Sequence, residues 1–270
     1  MMKNLTTMVT NTAEKMVGSK KLVKYCGYCG KELEQLKWGE EYYLSVYKAC
    51  DCPESEKAKV EEERARAEQQ KAERIKNLYA KSEMSKRARA CRFEDYQLTI
   101  YNSEAYKICK DYAENFNKIK NKPRNGLFIV GECGVGKSHV AFATANALIE
   151  SEKRVICTSM IDLLADLRAN FQNSATEANT LAKYSNCDLL VLDDLGKEKP
   201  TEWALQMMYS IVDNRYNNLK PIIVTTNYTA GDLVKRFTIN NDNATASAII
   251  DRLYEMCQYL PITGESFRKR

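Results

Sequence analysis

The chain of 270 residues holds a single histidine, His139, which removes any histidine triad from consideration. It follows Ser138 on the first turn of an expected helix and reads as helix surface or packing. No apolar run approaches the roughly 20 residues of a membrane-spanning helix, so no membrane partner is expected. The first 24 residues mix Thr, Asn, Met and Lys without the apolar block of a secretory signal, and a cytoplasmic location is the expectation. In a reducing compartment the ten cysteines are mostly free thiols. Six of them, Cys91, Cys109, Cys133, Cys157, Cys187 and Cys257, stand apart in helix- or strand-like contexts and read as small buried hydrophobes. A large charge of one sign is also missing: the net +5 lies entirely in residues 1–90, and residues 91–270 are balanced. That bias permits contact with nucleic acid or an acidic protein face and establishes neither. With 44% hydrophobic residues and no internal repeat, the length suits one large domain and a smaller one.

What is present begins with Leu-Phe-Ile-Val at 127–130, an apolar run that breaks into Gly131-x4-Gly136-Lys137-Ser138. This is the spacing of a phosphate-cradling P-loop, and it predicts a nucleoside triphosphate site. Gly131, Gly134 and Gly136 let backbone N–H groups converge on phosphate oxygens, and a helix starting near Lys137 adds its positive dipole end. Lys137 reaches the β- and γ-phosphates, and Ser138 offers a hydroxyl to Mg²⁺, which prefers hard oxygen ligands. A second apolar run, 189–192, ends in Asp193 and Asp194. In a parallel sheet such a strand end faces the P-loop crevice, where Asp193 positions Mg²⁺ and Asp194 polarises the attacking water. A plain strand-ending turn is the other reading of this pair. A third run, 222–226, ends at Asn227, whose amide can hold the water from the opposite side.

Cys26-x2-Cys29 and Cys50-x-Cys52 form a four-thiol set in a short segment with too little apolar surface to fold unaided. The set suits a structural, tetrahedral Zn²⁺; a redox pair or unrelated thiols is the alternative. Residues 53–90 are charge-dense and free of Gly and Pro after Pro53, and predict an exposed connecting helix with Glu62–Arg66 and Glu83–Arg87 pairs. A further helical stretch is expected over 92–123, with Tyr106, Ile108, Tyr112 and Phe116 on a buried stripe. Beyond the P-loop helix, strands at 154–158, 188–193 and 221–226 alternate with helices at 161–171, 202–217 and 230–237. A loop at 240–244, a helix at 246–256 and a last strand at 258–262 follow. The fold class is α/β: a P-loop domain with a parallel sheet covered by helices (91–270), preceded by a small zinc-binding module (1–52) and a helical linker (53–90).

The segments GECGVGKS at 131–138, LLVLDDLG at 189–196, KPTEWALQMMYSIVDNRYNNLKPIIVTTN at 199–227, IIDRL at 249–253 and GESFR at 264–268 resemble the DnaC/DnaI-like helicase loaders of the AAA+ ATPases. The likeness covers about residues 91–270. It implies an ATPase with Asn227 as the first sensor, Arg252 as an arginine finger acting on a neighbour's nucleotide, and Arg268 as the second sensor. Self-association through shared ATP sites follows from the finger. It also implies a hexameric replicative helicase as partner, gripped by the N-terminal module, and single-stranded DNA as ligand. Phe171 and Trp203 are the aromatic positions that match for stacking on bases, although either ring also suits core packing. Asp194 stands where many AAA+ proteins carry glutamate, so slow, switch-like ATP turnover is expected. Two rival readings are the ATPase subunit of an insertion-sequence transposition system and a non-hydrolysing, ATP-locked adaptor.

Overall fold

The computed structural model describes residues 16–18, 21–38, 42–170, 174–197 and 200–269. Two compact units divide between Ala72 and Glu73, well before residue 91.

The first unit contains three strands, β1 (Met16–Gly18), β2 (Gln35–Trp38) and β3 (Tyr42–Tyr47), in an antiparallel sheet of order β1-β3-β2. No sheet is expected here from the sequence, because the strands are short and do not clearly alternate. Gln35 is buried and ties the sheet through both ends of its amide: Nε2 donates to Leu44 O at 2.8 Å and Oε1 accepts from Leu22 N–H at 2.7 Å. Helix α1 (Pro53–Lys81) carries the division between the units within it. Pro53 at its start, Glu54 and Glu56 in the first turn and Lys81 in the last obey the terminal preferences of a helix. The expected Glu62–Arg66 pair forms at 2.6 Å. The Glu83–Arg87 pair does not, because the helix stops at Lys81. Glu83 takes a left-handed φ of 59° and turns to Lys183 and Tyr184. Ser85 then caps the short α2 (Lys86–Ala90).

In the second unit the predicted helix over 92–123 is helical only from α3 (Ser103–Glu114) through α4 (Phe116–Ile119). Residues 92–102 instead form turns that fold back Phe93 and Tyr96 as buried side chains. The buried stripe is Ala105, Cys109, Tyr112 and Phe116; Tyr106 and Ile108 lie at its margin. Strand β4 (Gly126–Gly131) and helix α5 (Lys137–Glu150) follow, then β5 (Val155–Ser159) and α6 (Met160–Ala169). Helix α7 (Ser174–Asn186) leads to β6 (Leu189–Leu195) and α8 (Glu202–Asn217). Then come β7 (Ile222–Thr226), α9 (Ala230–Phe237), α10 (Ala244–Met256) and β8 (Cys257–Ile262), followed by a single 3₁₀ turn at Phe267–Lys269. The expected strands and helices of this half are all present, with α7 added. Its Ser, Thr and Asn content hides the helical period, and Arg215 of α8 compensates by capping its end. That guanidinium is fully buried, donates to Tyr184 O at 2.7 Å, Ser185 O and Cys187 O, and reaches Pro221 O at the start of β7.

The five strands run parallel in the order β5-β6-β7-β4-β8. Alternation along β4 sends Leu127 and Ile129 into one core with α3 and α5, and Phe128 and Val130 into a second with α8 and α10. Each such side chain contributes about 1.5–3 kcal/mol by burial, so β4 is held from both faces. Since all strands are parallel, the segments leaving β4, β6, β7 and β8 emerge at one edge. β7 lies between β6 and β4, which sets Asn227 between the Asp193–Asp194 pair and the P-loop.

Candidate functional site

The P-loop leaves β4 at Gly131, turns through Gly134 (φ 88°) and Gly136 (φ 100°), and enters α5 at Lys137. A side chain at Gly134 would run into Ser266, and one at Gly136 would sit 2.8 Å from the Tyr96 hydroxyl. The loop is thus walled by residues 92–102 on one side and by the C-terminal segment on the other. Phe267 N–H donates to Gly134 O at 3.1 Å and fixes that segment against the loop.

Lys137 is only 5% exposed. Its ammonium donates to Gly131 O at 2.9 Å, Glu132 O at 2.8 Å and Asn227 Oδ1 at 2.6 Å. Burial lowers its pKa, against the raising influence of Asp194, Cys133 and Asp193. A cation held this dry is a strong counter-charge for phosphate. At the end of β6 the pairing with β7 shifts register between Leu192 and Leu195, which re-aims the two aspartates. Thr225, fully buried, bridges the shift: its hydroxyl donates to Asp193 Oδ1 at 2.6 Å and accepts from Asp194 N–H at 2.9 Å. Thr226 adds a bond to Leu195 O at 2.7 Å. Asp194 itself adopts a φ of 58° and meets Lys197 Nζ at 3.4 Å. Burial raises the Asp193 carboxyl above its ordinary value, opposed by hydrogen bonds from Thr225 and Ser138. A desolvated carboxylate beside a hydroxyl is a hard-oxygen pair that fits Mg²⁺.

Arg268 lies at the same edge, with Nη1 3.3 Å from Cys133 Sγ. Cys133 is exposed on the P-loop rather than buried, and Cys91 is half-buried; the other four isolated cysteines are buried as expected. His139 packs edge-on to Tyr96 at 5.3 Å and bonds Arg92 O at 3.0 Å, as a packing residue does. Arg252 engages α8 instead: Nε lies 2.9 Å from Asp213 Oδ1, Nη2 donates to the Tyr209 hydroxyl at 3.0 Å, and Tyr209 stacks beneath the guanidinium. Trp203 is half-buried beside the second core, with Arg168 4.9 Å over its ring. Phe171 lies outside the described residues.

The four sulfurs of Cys26, Cys29, Cys50 and Cys52 lie within 4.8 Å of one another. Zn–S bonds of about 2.3 Å in a tetrahedron imply sulfur–sulfur edges of about 3.8 Å. Cys26–Cys52 measures 3.8 Å and Cys29–Cys50 3.5 Å, so the cluster fits zinc. A tight knuckle builds it: Gly30 (φ 72°) donates to Cys26 O, and Cys26 N–H to Lys31 O. Backbone N–H groups of Cys29 and then Tyr28, directed at the sulfur, bring the Cys26 thiol down to about 7.

The sequence profile of the family described as IstB-like ATP binding protein matches residues 52–270. Phage-like element PBSX protein XkdC of Bacillus subtilis (strain 168) is 30% identical over 199 residues, 70% of either chain. The replicative helicase loader DnaC of Escherichia coli (strain K12) is 29% identical over 148 residues, 54% of this chain and 58% of that protein. The chain therefore spans little more than half the length of that loader. Among solved structures, the DnaC helicase loader superposes with a TM-score of 0.54 at 29% identity, over 66% of this chain and 99% of that one. DnaI gives 0.58 at 22% identity over 68% and 94%, a likeness of fold.

Proposed function

The chain belongs to the family of IstB-like ATP-binding proteins, with the AAA+ fold of DnaC and DnaI, and from that premise we propose that it loads a hexameric replicative helicase onto single-stranded DNA in an ATP-dependent manner. The observation that carries this reading is the likeness to the DnaC helicase loader, which takes in nearly all of that solved chain. In this scheme residues 1–52 form the helicase-facing zinc module, 53–90 the linker and 91–270 the ATPase. The loader scheme sets the protein in the cytoplasm, beside its helicase. Among the described residues no helix is long and apolar enough to cross a membrane.

For ATP, the residues at the sheet edge divide the work. Backbone N–H groups around Gly131, Gly134 and Gly136 and the start of α5 cradle phosphate, and Lys137 exchanges its carbonyl partners for phosphate oxygens. Ser138 and Asp193 would hold Mg²⁺, which when bound neutralises phosphate charge. Asp194 orients water, and Asn227, already bonded to Lys137, holds it from the other side. Arg268 serves the nucleotide within its own subunit and Arg252 serves a neighbour's, which makes ATP sites shared and turnover slow outside the assembly. Phe171 and Trp203 stack on DNA bases.

The test is capture of the replicative helicase by the full chain, with and without a zinc chelator, alongside steady-state ATP turnover. Helicase bound with zinc present and released by chelation is the expected result. No capture in either condition defeats the loader reading. Equal turnover by wild type and Asp194→Asn would make the chain an ATP-locked adaptor. The family profile gives the transposition ATPase a place as second reading, and preference for duplex over single-stranded DNA would favour it.

A further inference from the structure

The N-terminal unit carries a face that ATP binding and zinc do not use. In the β2–β3 register Lys37 stands opposite Tyr43, with its ammonium 4.9 Å over the ring. Lys24 lies 5.6 Å over the ring of Tyr47 on the same strand, beyond a register shift that separates the Lys37–Tyr43 pair from the Gln35–Tyr47 pair. Lys21 joins them: its pKa is raised first by its bond to Glu32 and further by the Tyr43 and Tyr25 hydroxyls. Tyr25 is 61% exposed, the three lysines are exposed, and Tyr43 and Tyr47 are half-exposed. Tyr47 is held in place by its hydroxyl, which donates to Leu22 O. Among the described residues neither Lys24 nor Lys37 has a carboxylate partner.

We propose that the face formed by Lys21, Lys24, Lys37, Tyr25, Tyr43 and Tyr47 binds single-stranded nucleic acid, the rings stacking on bases and the ammonium groups meeting phosphates. Aromatic rings interleaved with cations are the two components of sequence-tolerant single-strand binding. A protein partner fits this face less well, because the centres of protein interfaces are enriched in aromatics and depleted in lysine, and here each strand ring is capped by one. The site goes beyond the loader reading, since it adds a nucleic-acid contact outside the ATPase unit.

The experiment is fluorescence anisotropy of a labelled 20-nucleotide oligothymidylate with the full-length, zinc-loaded protein. Phe171→Ala and Trp203→Ala are present in every sample, so contacts of the ATPase unit do not mask the result. Lys24→Glu/Lys37→Glu should weaken binding at least about tenfold at low salt and make the salt dependence shallower by about 1.4 log units per log unit, at roughly 0.7 for each phosphate contact on a single strand. Tyr43→Ala should cost about tenfold, within the range for one stacked base, while Tyr43→Phe should bind as the parent does. Zinc content and ATP turnover without DNA should be unchanged by the lysine substitutions. Unchanged affinity in the lysine variant overturns the proposal, as does loss of helicase capture with DNA affinity intact, which would make the face a protein interface. If Tyr43→Ala fails to retain zinc, the exposed-lysine variant decides alone. Failure of the loader reading shows separately, as absence of helicase capture by the parent protein.

Discussion

Replacing Thr225 by valine keeps shape and volume and removes one buried hydroxyl. That hydroxyl is the donor to Asp193 Oδ1 and the acceptor for Asp194 N–H, across a stretch where the strand ladder has slipped register. Valine leaves both partners unmatched. Each unsatisfied buried group costs about 1–3 kcal/mol, and because the aspartates are half-exposed the low end applies, for a total of about 2–3 kcal/mol. For a unit of this size each kcal/mol moves Tm by about 2–4 °C, so the loss should be roughly 4–12 °C. Asp193 also loses a bond that holds it ionised and aimed. The Mg²⁺ concentration for half-maximal ATP turnover should rise about tenfold, the equivalent of one hydrogen bond of about 1.4 kcal/mol. Thermal melts and Mg²⁺ titrations of wild type, Thr225→Val and Thr225→Ser check this, with serine expected near wild type. A valine variant that melts within about 1 °C of wild type, with the same Mg²⁺ requirement, would refute the bridging role.

Gly134→Ala should weaken ATP binding by at least about tenfold, since a left-handed φ costs an L-residue about 1–2 kcal/mol and the methyl displaces Ser266; unchanged affinity for a fluorescent ATP analogue would exclude the tight fit. Burial alone raises the Asp166 carboxyl, but bonds from Lys183 and Tyr184 outweigh it and hold its pKa below the ordinary carboxylate range. Its stabilisation is therefore present above about pH 4 and lost as pH falls through the folded value, so Asp166→Asn should flatten the acid limb of a Tm-against-pH curve. Elemental analysis should find one zinc per chain, and cobalt substitution should give tetrahedral thiolate absorption that Cys52→Ser abolishes. Lys137→Ala and Arg252→Ala should each lack ATP turnover alone and regain part of it when mixed, because one supplies the finger and the other the nucleotide site; no recovery on mixing would confine Arg252 to its bond with Asp213.

The parallel core was legible because its signals are local. Val-Ile-Cys-Thr at 155–158, Leu-Leu-Val-Leu at 189–192 and Ile-Ile-Val at 222–224 are buried on both faces, and such strands read as continuous apolar runs. Helix α7 and the N-terminal sheet were not legible, for a shared reason: each depends on polar ties between distant residues. Arg215 closes the end of α7 from 28 to 31 residues away, and Gln35 joins Leu22 to Leu44. Neither residue differs in sequence from an ordinary surface arginine or glutamine. The segment expected to be a linker shows the converse. Its charge pattern describes most of α1 correctly, yet Ile75, Leu78 and Tyr79 pack against the first core, and only the fold supplies the surface that receives them.

The same division runs through the nucleotide site. Residues with chemistry of their own, Lys137, Asp193, Asp194 and Asn227, announce themselves by spacing, and the sheet order brings them to one edge. Residues that position them do not: Thr225 matters because of a register shift two strands from the P-loop, and Ser266 because the segment after β8 passes beside Gly134. A hydroxyl gains such a role only from the partner that topology gives it. An uncharged buried side chain bonded to motif residues is the feature that marks Thr225, since it touches both aspartates. Arg252 marks the limit of that approach. Within the chain it pairs with Asp213 and stacks on Tyr209, while its buried Nε makes no hydrogen bond, so a role toward a neighbouring subunit is read from mixed assemblies rather than from its contacts.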